Sequence, residues 1–283
     1  MKIKDHFLSQ EIFEIQETEI NGILKTTPIP ENIDKYYESE DYISHHQDTG
    51  SLKQKLYKFL QSFNLNYKRN IVIAETNKIL QETKSNEYPR VLDYGCGAGE
   101  FIKQIEKDVE TFGLEPNDIA RNAAQLKTSK TKFITNLNEI KNESIDVITM
   151  WHVFEHIENQ SEMLSLFHQK LKLNGCLIIA VPNHTSYDAK YYKEFWAAYD
   201  VPRHIFHFSK SGMEKLMNNQ NWKLEKIKPL LLDSYYISTL SEKYKKNPLF
   251  WFFGGIHGAI SNIKASKSGE FSSLIYIIRK IEK

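Results

Sequence analysis

VLDYGCGAG, residues 91–99, is the stretch of this sequence that decides the fold. A short apolar run ends in the carboxylate Asp93, three glycines alternate with other residues, and an amphipathic segment follows. That order predicts a strand, a tight loop and a helix. Glycine is needed where a backbone turns sharply and lets a ligand approach more closely than a Cβ would permit. The stretch therefore predicts a ligand-binding loop at the carboxyl end of a strand.

The spacing of the glycines restricts the ligand. It is G-x-G-x-G, whereas the dinucleotide fingerprint G-x-G-x-x-G presents a helix N-terminus to a pyrophosphate. A second apolar run, residues 112–117, places Glu115 about twenty residues beyond the loop, where a βαβ unit puts its ribose-binding acid. The alternative interpretation of Glu115 is a surface acid at a strand end. The coupled motifs favour a nucleoside ligand without phosphates.

The composition of the chain sets the outer limits. With 283 residues, one large domain, or one domain with small additions, is expected. The formal net charge is +1 and no strongly basic cluster stands out, which argues against a nucleic-acid partner. Cys96 and Cys176 lack metal-ligand spacing, and nothing supports a disulfide between them. The first residues have no apolar signal core and no stretch is long enough to span a bilayer, so a cytoplasmic location is expected.

The order of predicted elements indicates an α/β fold. Residues 1–50 are polar and tyrosine-rich, and residues 51–88 are predicted to be helical, with an apolar face that includes Leu60 and Phe63. From residue 88 onward strands and helices alternate, which predicts a mainly parallel sheet with helices on both faces. Predicted strands cover residues 90–94, 111–115, 132–135, 145–150, 176–181, 222–232 and 272–279, and a helix covers 160–172.

Together, the glycine loop and the acid on the next strand resemble the class I S-adenosylmethionine-dependent methyltransferases. The resemblance implies a Rossmann-like seven-stranded sheet, mostly parallel with the last strand antiparallel, and S-adenosylmethionine as cofactor. It divides the chain into an N-terminal extension or lid (1–50) and a methyltransferase domain (51–283) with an aromatic insertion around 234–270. The implied cofactor-binding residues are Asp93, Tyr94, Gly95, Gly97, Gly99, Glu115, Pro116, Asn136, Leu137, Trp151 and His152.

A second group of candidate active-site residues follows the predicted fourth strand. Residues 151–157, WHVFEHI, are similar to the E-H-V/I stretch of ubiquinone-biosynthesis-like O-methyltransferases. Ligands of doubly wound sheets lie outside the carboxyl ends of the strands, so this segment is expected to border the cofactor, with Glu155 and His156 towards the acceptor. The alternative is that His156 caps a helix or makes a buried hydrogen bond.

A third run, residues 199–209, reads YDVPRHIFHFS and resembles the D-x-P-R-H-x-x-H-F-S run of one methyltransferase subfamily. An acceptor hydroxyl needs a base, and a neutral histidine suits that near pH 7. The candidate catalytic residues, in falling order of preference, are His204, His207, His156 and Asp200. Arg203 is expected to anchor an acidic substrate group, unless it pairs with a structural carboxylate.

Aromatic segments on either side of the sheet are predicted to shape the acceptor pocket. The predicted substrate-binding residues are Tyr37, Tyr42, His45, Tyr191 and Arg203. Residues 248–256, PLFWFFGGI, are strongly apolar but too short to span a bilayer. Burial in the core or at a dimer contact is favoured for them, while a lipophilic acceptor pocket and contact with a membrane surface remain open.

No metal site is expected. Some relatives begin with a zinc ribbon whose cysteines would fall at Thr18 and Asn21, and without thiolates that site cannot form. Residues 5–28 are therefore interpreted as a metal-free remnant, a β-hairpin.

The resemblance implies a methyltransferase, monomeric or homodimeric, that methylates a small molecule. The expected acceptor is a hydroxyl of an aromatic, lipid-like or glycan-linked molecule, with a histidine as base. Peripheral contact with a membrane stays open. The alternatives are a catalytically silent S-adenosylmethionine-binding protein and, less favoured, a nicotinamide-dependent oxidoreductase. The latter would need the longer glycine spacing.

Overall fold

The N-terminal segment forms a small antiparallel sheet. The computed structural model describes residues 1–37 and 52–281, and the side chains of residues 60–281 within the second range. Strands β1 (Lys2–Lys4), β2 (Ile12–Glu17) and β3 (Ile23–Thr27) are consecutive neighbours, so residues 12–27 form the expected hairpin. The fourth strand comes from residues 206–208, almost two hundred residues later. The N-terminal segment is thus tied by backbone hydrogen bonds to the D-x-P-R-H-x-x-H-F-S run.

The main sheet has the order β10-β11-β8-β7-β4-β5-β6. Five neighbouring strands, in the order β8-β7-β4-β5-β6, are parallel to one another. The last strand in the chain, β11, is antiparallel to both of its neighbours, β8 and β10. The strands are β4 Arg90–Tyr94, β5 Glu110–Leu114, β6 Lys132–Ile134, β7 Ile145–Trp151, β8 Leu171–Pro182, β9 Phe206–Phe208 (in the small sheet), β10 Trp222–Pro229 and β11 Ser273–Lys280. All seven predicted strands are present, and the predicted fold class is confirmed.

Helices cover both faces of this sheet. They are α1 Leu52–Thr83, α2 Glu100–Ile105, α3 Asp118–Lys127, α4 Gln160–Lys170, α5 Tyr187–Tyr192, α6 Lys210–Asn219, α7 Asp233–Tyr244 and α8 Phe250–Ser268. The side chain of Ser209 accepts a hydrogen bond from the backbone N–H of Gly212, which caps the N-terminus of α6. In α1 the residues that pack inward are Ile71, Val72 and Ile79; Leu60 and Phe63 are exposed, so the predicted inward face was wrong there.

The core lies on the two faces of the main sheet. One cluster of buried side chains includes Leu92, Ile148 and Leu177 and lies on the face of the sheet that α4 and α6 cover. The other joins Val91 and Val147 to α1 and α2. Alternate residues of the same strands therefore serve opposite faces, as the strand pleat requires. None of the helices within the described residues is long and apolar enough to cross a membrane.

Candidate active site

The glycine loop has the backbone that its sequence demands. Gly95 and Gly97 have positive φ angles of 74° and 52°, in the left-handed region that favours glycine. A Cβ added to Gly95 would lie 2.5 Å from Val153 Cγ2, so this glycine lets the loop pack directly against the segment after β7. A Cβ added to Gly97 would meet no atom within 4 Å, so the backbone there faces open space. The loop thus offers a surface that a ligand can approach closely.

The carboxylate of Glu115 closes one side of that space. Its Oε2 accepts a hydrogen bond from Gly97 N at 2.9 Å and its Oε1 accepts one from Asn117 N at 3.0 Å. Each carboxylate oxygen can accept two hydrogen bonds, so both retain capacity for the two hydroxyls of a ribose. A nucleoside without phosphates therefore fits this edge of the sheet.

Asp93 lies beneath the loop and is buried. Thr149 Oγ1 donates a hydrogen bond to its Oδ1 at 2.7 Å. Burial raises the pKa of Asp93 to about 7, although the Thr149 hydrogen bond and the positive charge of Lys68 oppose that rise. Lys68, on α1, also stacks on the ring of Trp151, with its Nζ 4.8 Å from the centroid. Lys68 is a site residue that sequence reasoning missed, because nothing in the local pattern of α1 marks it.

The other predicted cofactor residues are spread around the same edge. Tyr94 packs edge-on against Phe167 at 5.3 Å between ring centroids, and Pro116 is exposed beside Glu115. Asn136 caps a short 3₁₀ helix, where its Oδ1 accepts a hydrogen bond from Asn138 N and its own backbone N–H donates to Glu139. Leu137 is buried behind it. The side-chain oxygen of Asn136 is therefore already used, and its amide nitrogen makes long hydrogen bonds to Thr135 Oγ1 and Glu139 Oε1 at 3.4 and 3.5 Å.

His152 is held between two carboxylates. Its Nε2 lies 2.9 Å from Asp233 Oδ2 at the start of α7, and its Nδ1 lies 3.3 Å from Glu155 Oε1. Burial alone would lower the pKa of His152, but Asp233 and Glu155 outweigh it and raise the pKa to about 9. His152 is therefore a cation at neutral pH. Asp233 is 81 residues after His152 in the chain and lies outside every motif, so no sequence signal pointed to it.

The raised pKa makes stability depend on pH. The folded pKa of about 9 exceeds the ordinary value of 6.5, so the charged form stabilises the fold below pH 6.5, and that stabilisation is lost as the pH rises towards 9. The rise of the pKa from 6.5 to about 9 corresponds to about 3 kcal/mol of folding stability. We expect a measured loss of about 1–2 kcal/mol, because water screens a partly exposed ion pair. Urea unfolding at several pH values checks this: wild type should lose that much stability between pH 6.5 and 9 relative to His152→Gln. Parallel pH profiles of the two proteins would contradict it.

Glu155 also belongs to a second cluster, with His156 and His204. His204 Nε2 is 3.9 Å from Glu155 Oε1, and the two imidazole rings meet edge-on with centroids 4.7 Å apart. Glu155 is fully buried, and neither of its oxygens accepts a hydrogen bond from the described residues. The three residues offer ligand atoms within 4.8 Å of one another, so the cluster could hold a divalent cation. The sequence had given no reason to expect a metal site here.

Tyr37 joins this cluster from the N-terminal segment. Its hydroxyl lies 3.1 Å from His156 Nδ1, which also contacts the carbonyl oxygen of Arg203 at 2.8 Å. Two other predicted substrate residues, Tyr42 and His45, lie outside the described residues. Tyr191 is elsewhere in the fold, because its ring stacks on that of His257 at 4.1 Å, on α8.

Arg203 does not face the cluster, and its predicted role as a substrate anchor was wrong. Its side chain is 2% exposed, and its guanidinium donates to Asp200, Asp5 and the carbonyl oxygen of Tyr36 at 2.6 to 3.0 Å. Asp200 is occupied by the same contact, which leaves it unsuited to act as the base. This pairing with structural carboxylates is the alternative that the sequence left open.

His207 is also turned away from the cluster. It is buried in the small sheet, where its Nε2 lies 2.9 Å from Thr26 Oγ1. Burial holds the pKa of His207 well below its usual range. His207 therefore serves the contact between β3 and β9, and the predicted choice of it as a base is corrected. Of the four predicted catalytic residues, the structure brings together His204, His156 and Asp200, whose Oδ2 lies 4.0 Å from His204 Nε2.

The fold and this site define a class of protein: a doubly wound α/β protein with a nucleoside-binding glycine loop and a histidine cluster beside it. The chain matches a family model described as a methyltransferase domain over residues 64–227, more than half of its length. The chain therefore belongs to this family, within the class I S-adenosylmethionine-dependent methyltransferases. The predicted family is confirmed.

Curated relatives and solved structures resemble the chain more distantly. An uncharacterised protein of Methanocaldococcus jannaschii is 30% identical over 179 residues, 62% of this chain and 66% of the relative. An uncharacterised methyltransferase of Bacillus mycoides is 27% identical over 128 residues, 43% of this chain and 59% of the relative. The chain thus spans less than two thirds of the length of these relatives.

Two solved structures share the fold. A plantazolicin methyltransferase in complex with a pentazolic substrate analogue and S-adenosylhomocysteine has a TM-score of 0.51 at 16% identity, covering 88% of this chain and 94% of that one. A methyltransferase from Haloferax volcanii in complex with the activator Trm112 has a TM-score of 0.50 at 15% identity, covering 74% and 89%. At this level of identity the likeness concerns the fold alone.

Proposed function

We propose that this protein transfers a methyl group from S-adenosylmethionine to a hydroxyl oxygen of a small molecule that lies beside His204 and His156. The observation that carries the proposal is the contact between the glycine loop and the segment after β7. Because Gly95 packs against Val153, the ribose-binding acid and the histidine cluster belong to one site. We assign the ribose hydroxyls to Glu115 and the remaining contacts to the loop, Leu137 and Trp151.

The tautomer of His204 supports its assignment as the base. Its Nδ1 lies 2.9 Å from the carbonyl oxygen of Ala198, and since a carbonyl only accepts, Nδ1 donates. The lone pair is then on Nε2, the nitrogen that faces Glu155. Burial and the neighbouring His156 lower the pKa of His204 to about 4, so the imidazole is neutral at pH 7 and able to accept a proton.

Methyl transfer to a hydroxyl needs the acceptor oxygen to be aligned with the methyl group and one residue to accept the hydroxyl proton. When bound, S-adenosylmethionine supplies an electrophilic methyl group, whose bond to sulfur breaks with its electron pair left on sulfur as the bond to the acceptor oxygen forms. His204 Nε2 takes the hydroxyl proton, and Glu155 stabilises the imidazolium that results. Tyr37 and His156 line the acceptor side and orient the hydroxyl. The protein is proposed to work in the cytoplasm, as a monomer or homodimer.

Substitution of His204 tests the proposal. Release of S-adenosylhomocysteine from a panel of phenols, lipid-linked alcohols and glycans identifies an acceptor. We then expect His204→Asn to lower kcat about 10²- to 10⁴-fold, the usual range for loss of a general base. Calorimetry should give unchanged affinity for S-adenosylmethionine, because His204 does not touch the glycine loop.

The matched control is His168→Asn, which removes a half-buried imidazole on α4 that packs against Trp222. We expect this variant to turn over like wild type. Unchanged kcat in His204→Asn would remove this histidine from the mechanism. Binding of S-adenosylmethionine with no product from any acceptor would favour a cofactor-binding protein without catalysis. Tight binding of a nicotinamide nucleotide in its place would favour an oxidoreductase.

A further inference from the structure

The hairpin of α7 and α8 carries an exposed aromatic tip. Leu249 is 59% exposed, and Trp251 and Phe252 are each 64% exposed. Residues 248–256 were predicted to be buried in the core or at a dimer contact; burial in the core is wrong for these three side chains, and burial at a dimer contact stays a prediction. We call residues 248–253 the aromatic tip. Exposed side chains of this size, contiguous in sequence, mark an interaction surface.

Small residues explain why the aromatic side chains point outward. Gly254, Gly258, Ser261 and Ala265 form the buried stripe of α8. A Cβ on Gly254 would lie 2.4 Å from Thr239 Cα, so the backbones of α7 and α8 approach as closely as glycine permits. The large side chains of α8 are then left on its opposite face, where Ile256 and Ile263 extend the exposed apolar strip.

The charges beside this strip are all positive. Residues 243–269 contain five lysines and no aspartate or glutamate. Lys243 and Lys246, directly before the aromatic tip, are exposed, and so are Lys264 and Lys267 at the far end of α8. Tryptophan and phenylalanine beside lysines are the side chains that bind the headgroup region of an anionic membrane. A protein partner with a purely apolar face would not need this charge.

We propose that the aromatic tip docks the protein on the surface of an anionic phospholipid membrane. Leu249, Trp251 and Phe252 enter the headgroup region, and Lys243 and Lys246 contact the lipid phosphates. The hairpin leads back to the active site, because Asp233 at the start of α7 holds His152. Helix α7 has 12 residues and so spans roughly 18 Å, which sets the active site close above the bilayer. Acceptors held in a membrane would be within reach.

Vesicle binding tests this proposal without any acceptor. The probes are large unilamellar vesicles of phosphatidylcholine alone and of phosphatidylcholine with phosphatidylglycerol. We expect co-sedimentation of wild type with the anionic vesicles, weak binding to the neutral ones, and release when the ionic strength rises from about 0.05 M to about 0.5 M. The variant Trp251→Ser with Phe252→Ser should bind at least about tenfold more weakly. The variant Lys243→Gln with Lys246→Gln should lose about fivefold per lysine.

Matched controls separate docking from a general effect of surface changes. Leu126→Ser alters a leucine of α3 that is 90% exposed, and Lys130→Gln with Lys141→Gln removes two exposed lysines elsewhere. Both should bind vesicles like wild type. Binding of S-adenosylmethionine should be unchanged in every variant, which shows that the fold and the cofactor site are intact and keeps this test independent of the proposed methyl transfer.

Fluorescence gives a second measurement. Trp196 and Trp222 are buried and Trp151 is half-buried, so Trp251 is the tryptophan that anionic vesicles should shift to the blue. The shift should vanish in Trp251→Phe, which keeps an apolar side chain. Failure of wild type to bind anionic vesicles would overturn the proposal, as would equal losses in the controls. A dimer in solution that the Trp251→Ser, Phe252→Ser variant dissociates, without vesicle binding, would assign the aromatic tip to self-association.

Discussion

Glu115→Ala weakens the binding of S-adenosylmethionine about 100-fold or more. The carboxylate is proposed to accept hydrogen bonds from both ribose hydroxyls, and a hydrogen bond to a charged group contributes about 1.5–3 kcal/mol. Two such bonds give about 3–6 kcal/mol, of which a part is recovered by water that enters the space. The substitution also frees the backbone N–H of Gly97, which now donates to Glu115 Oε2 at 2.9 Å, so the loop loses one of its restraints.

Isothermal titration calorimetry with S-adenosylmethionine measures this change. The matched control is Glu110→Ala, at the opposite end of the same strand, where Glu110 pairs with Lys132 and Arg90 on the surface. That variant loses an acid from β5 but should bind the cofactor like wild type. Glu115→Gln keeps the shape and one acceptor oxygen, and we expect an intermediate loss. Wild-type affinity in Glu115→Ala would show that the ribose is held elsewhere.

The sequence predicts best the structural features whose causes lie within a few neighbouring residues. The strand bounds of β4 match the prediction, and the loop glycines adopt the positive φ angles that their spacing implies. Ser209 caps α6, and Met213 and Met217, four residues apart, are buried on one face of it. Serine is a favoured N-cap residue and a spacing of four is helical, so the local pattern accounts for both features. In each case the residues that decide the structure are neighbours in sequence, so a short pattern contains the whole cause.

Contacts between distant segments could not be predicted in the same way. Asp233 and Lys68 reach the site from α7 and α1, and neither sits in a motif. His207 lies on β9 and contacts Thr26 of β3, whereas His204 lies two residues before that strand and contacts Glu155 and His156. The face of β9 that His207 occupies depends on the pairing of β9 with β3. A strand of three residues gives no alternation pattern from which to choose that face.

The aromatic tip shows a limit of hydropathy itself. Large apolar residues are more often buried than not, so the sequence PLFWFFGGI predicts burial in the core or at a dimer contact. On α8 the glycines and other small residues occupy the inward stripe because α7 packs too closely for larger ones. The inner face of this helix is therefore chosen by side-chain volume, and the aromatic side chains are left outside. The exposed face combines aromatic side chains with lysines, so the proposed partner offers both apolar and anionic groups.

Arg203→Met lowers the free energy of unfolding by about 3–5 kcal/mol, because it leaves buried carboxylates without their cation. Asp5 is fully buried, and Arg203 Nη2 donates to its Oδ1 at 3.0 Å. Burial would raise the pKa of Asp5, but hydrogen bonds from Ser9 and Arg203 outweigh it and hold the pKa below its usual value. Without Arg203 the ionised form loses that compensation, and the contact that joins the N-terminal sheet to the methyltransferase fold opens.

Urea unfolding of three proteins distinguishes this structural role from substrate binding. Arg203→Lys keeps the charge but not the planar fork that contacts Asp5, Asp200 and Tyr36 together, so we expect a smaller loss than in Arg203→Met. Arg69→Met, the matched control, breaks a partly exposed pair with Asp108 and should cost less than about 1 kcal/mol. If Arg203 anchored a substrate, its loss would raise KM and leave unfolding unchanged. That result would contradict the buried pairing, in which Nε, Nη1 and Nη2 all donate to protein oxygens.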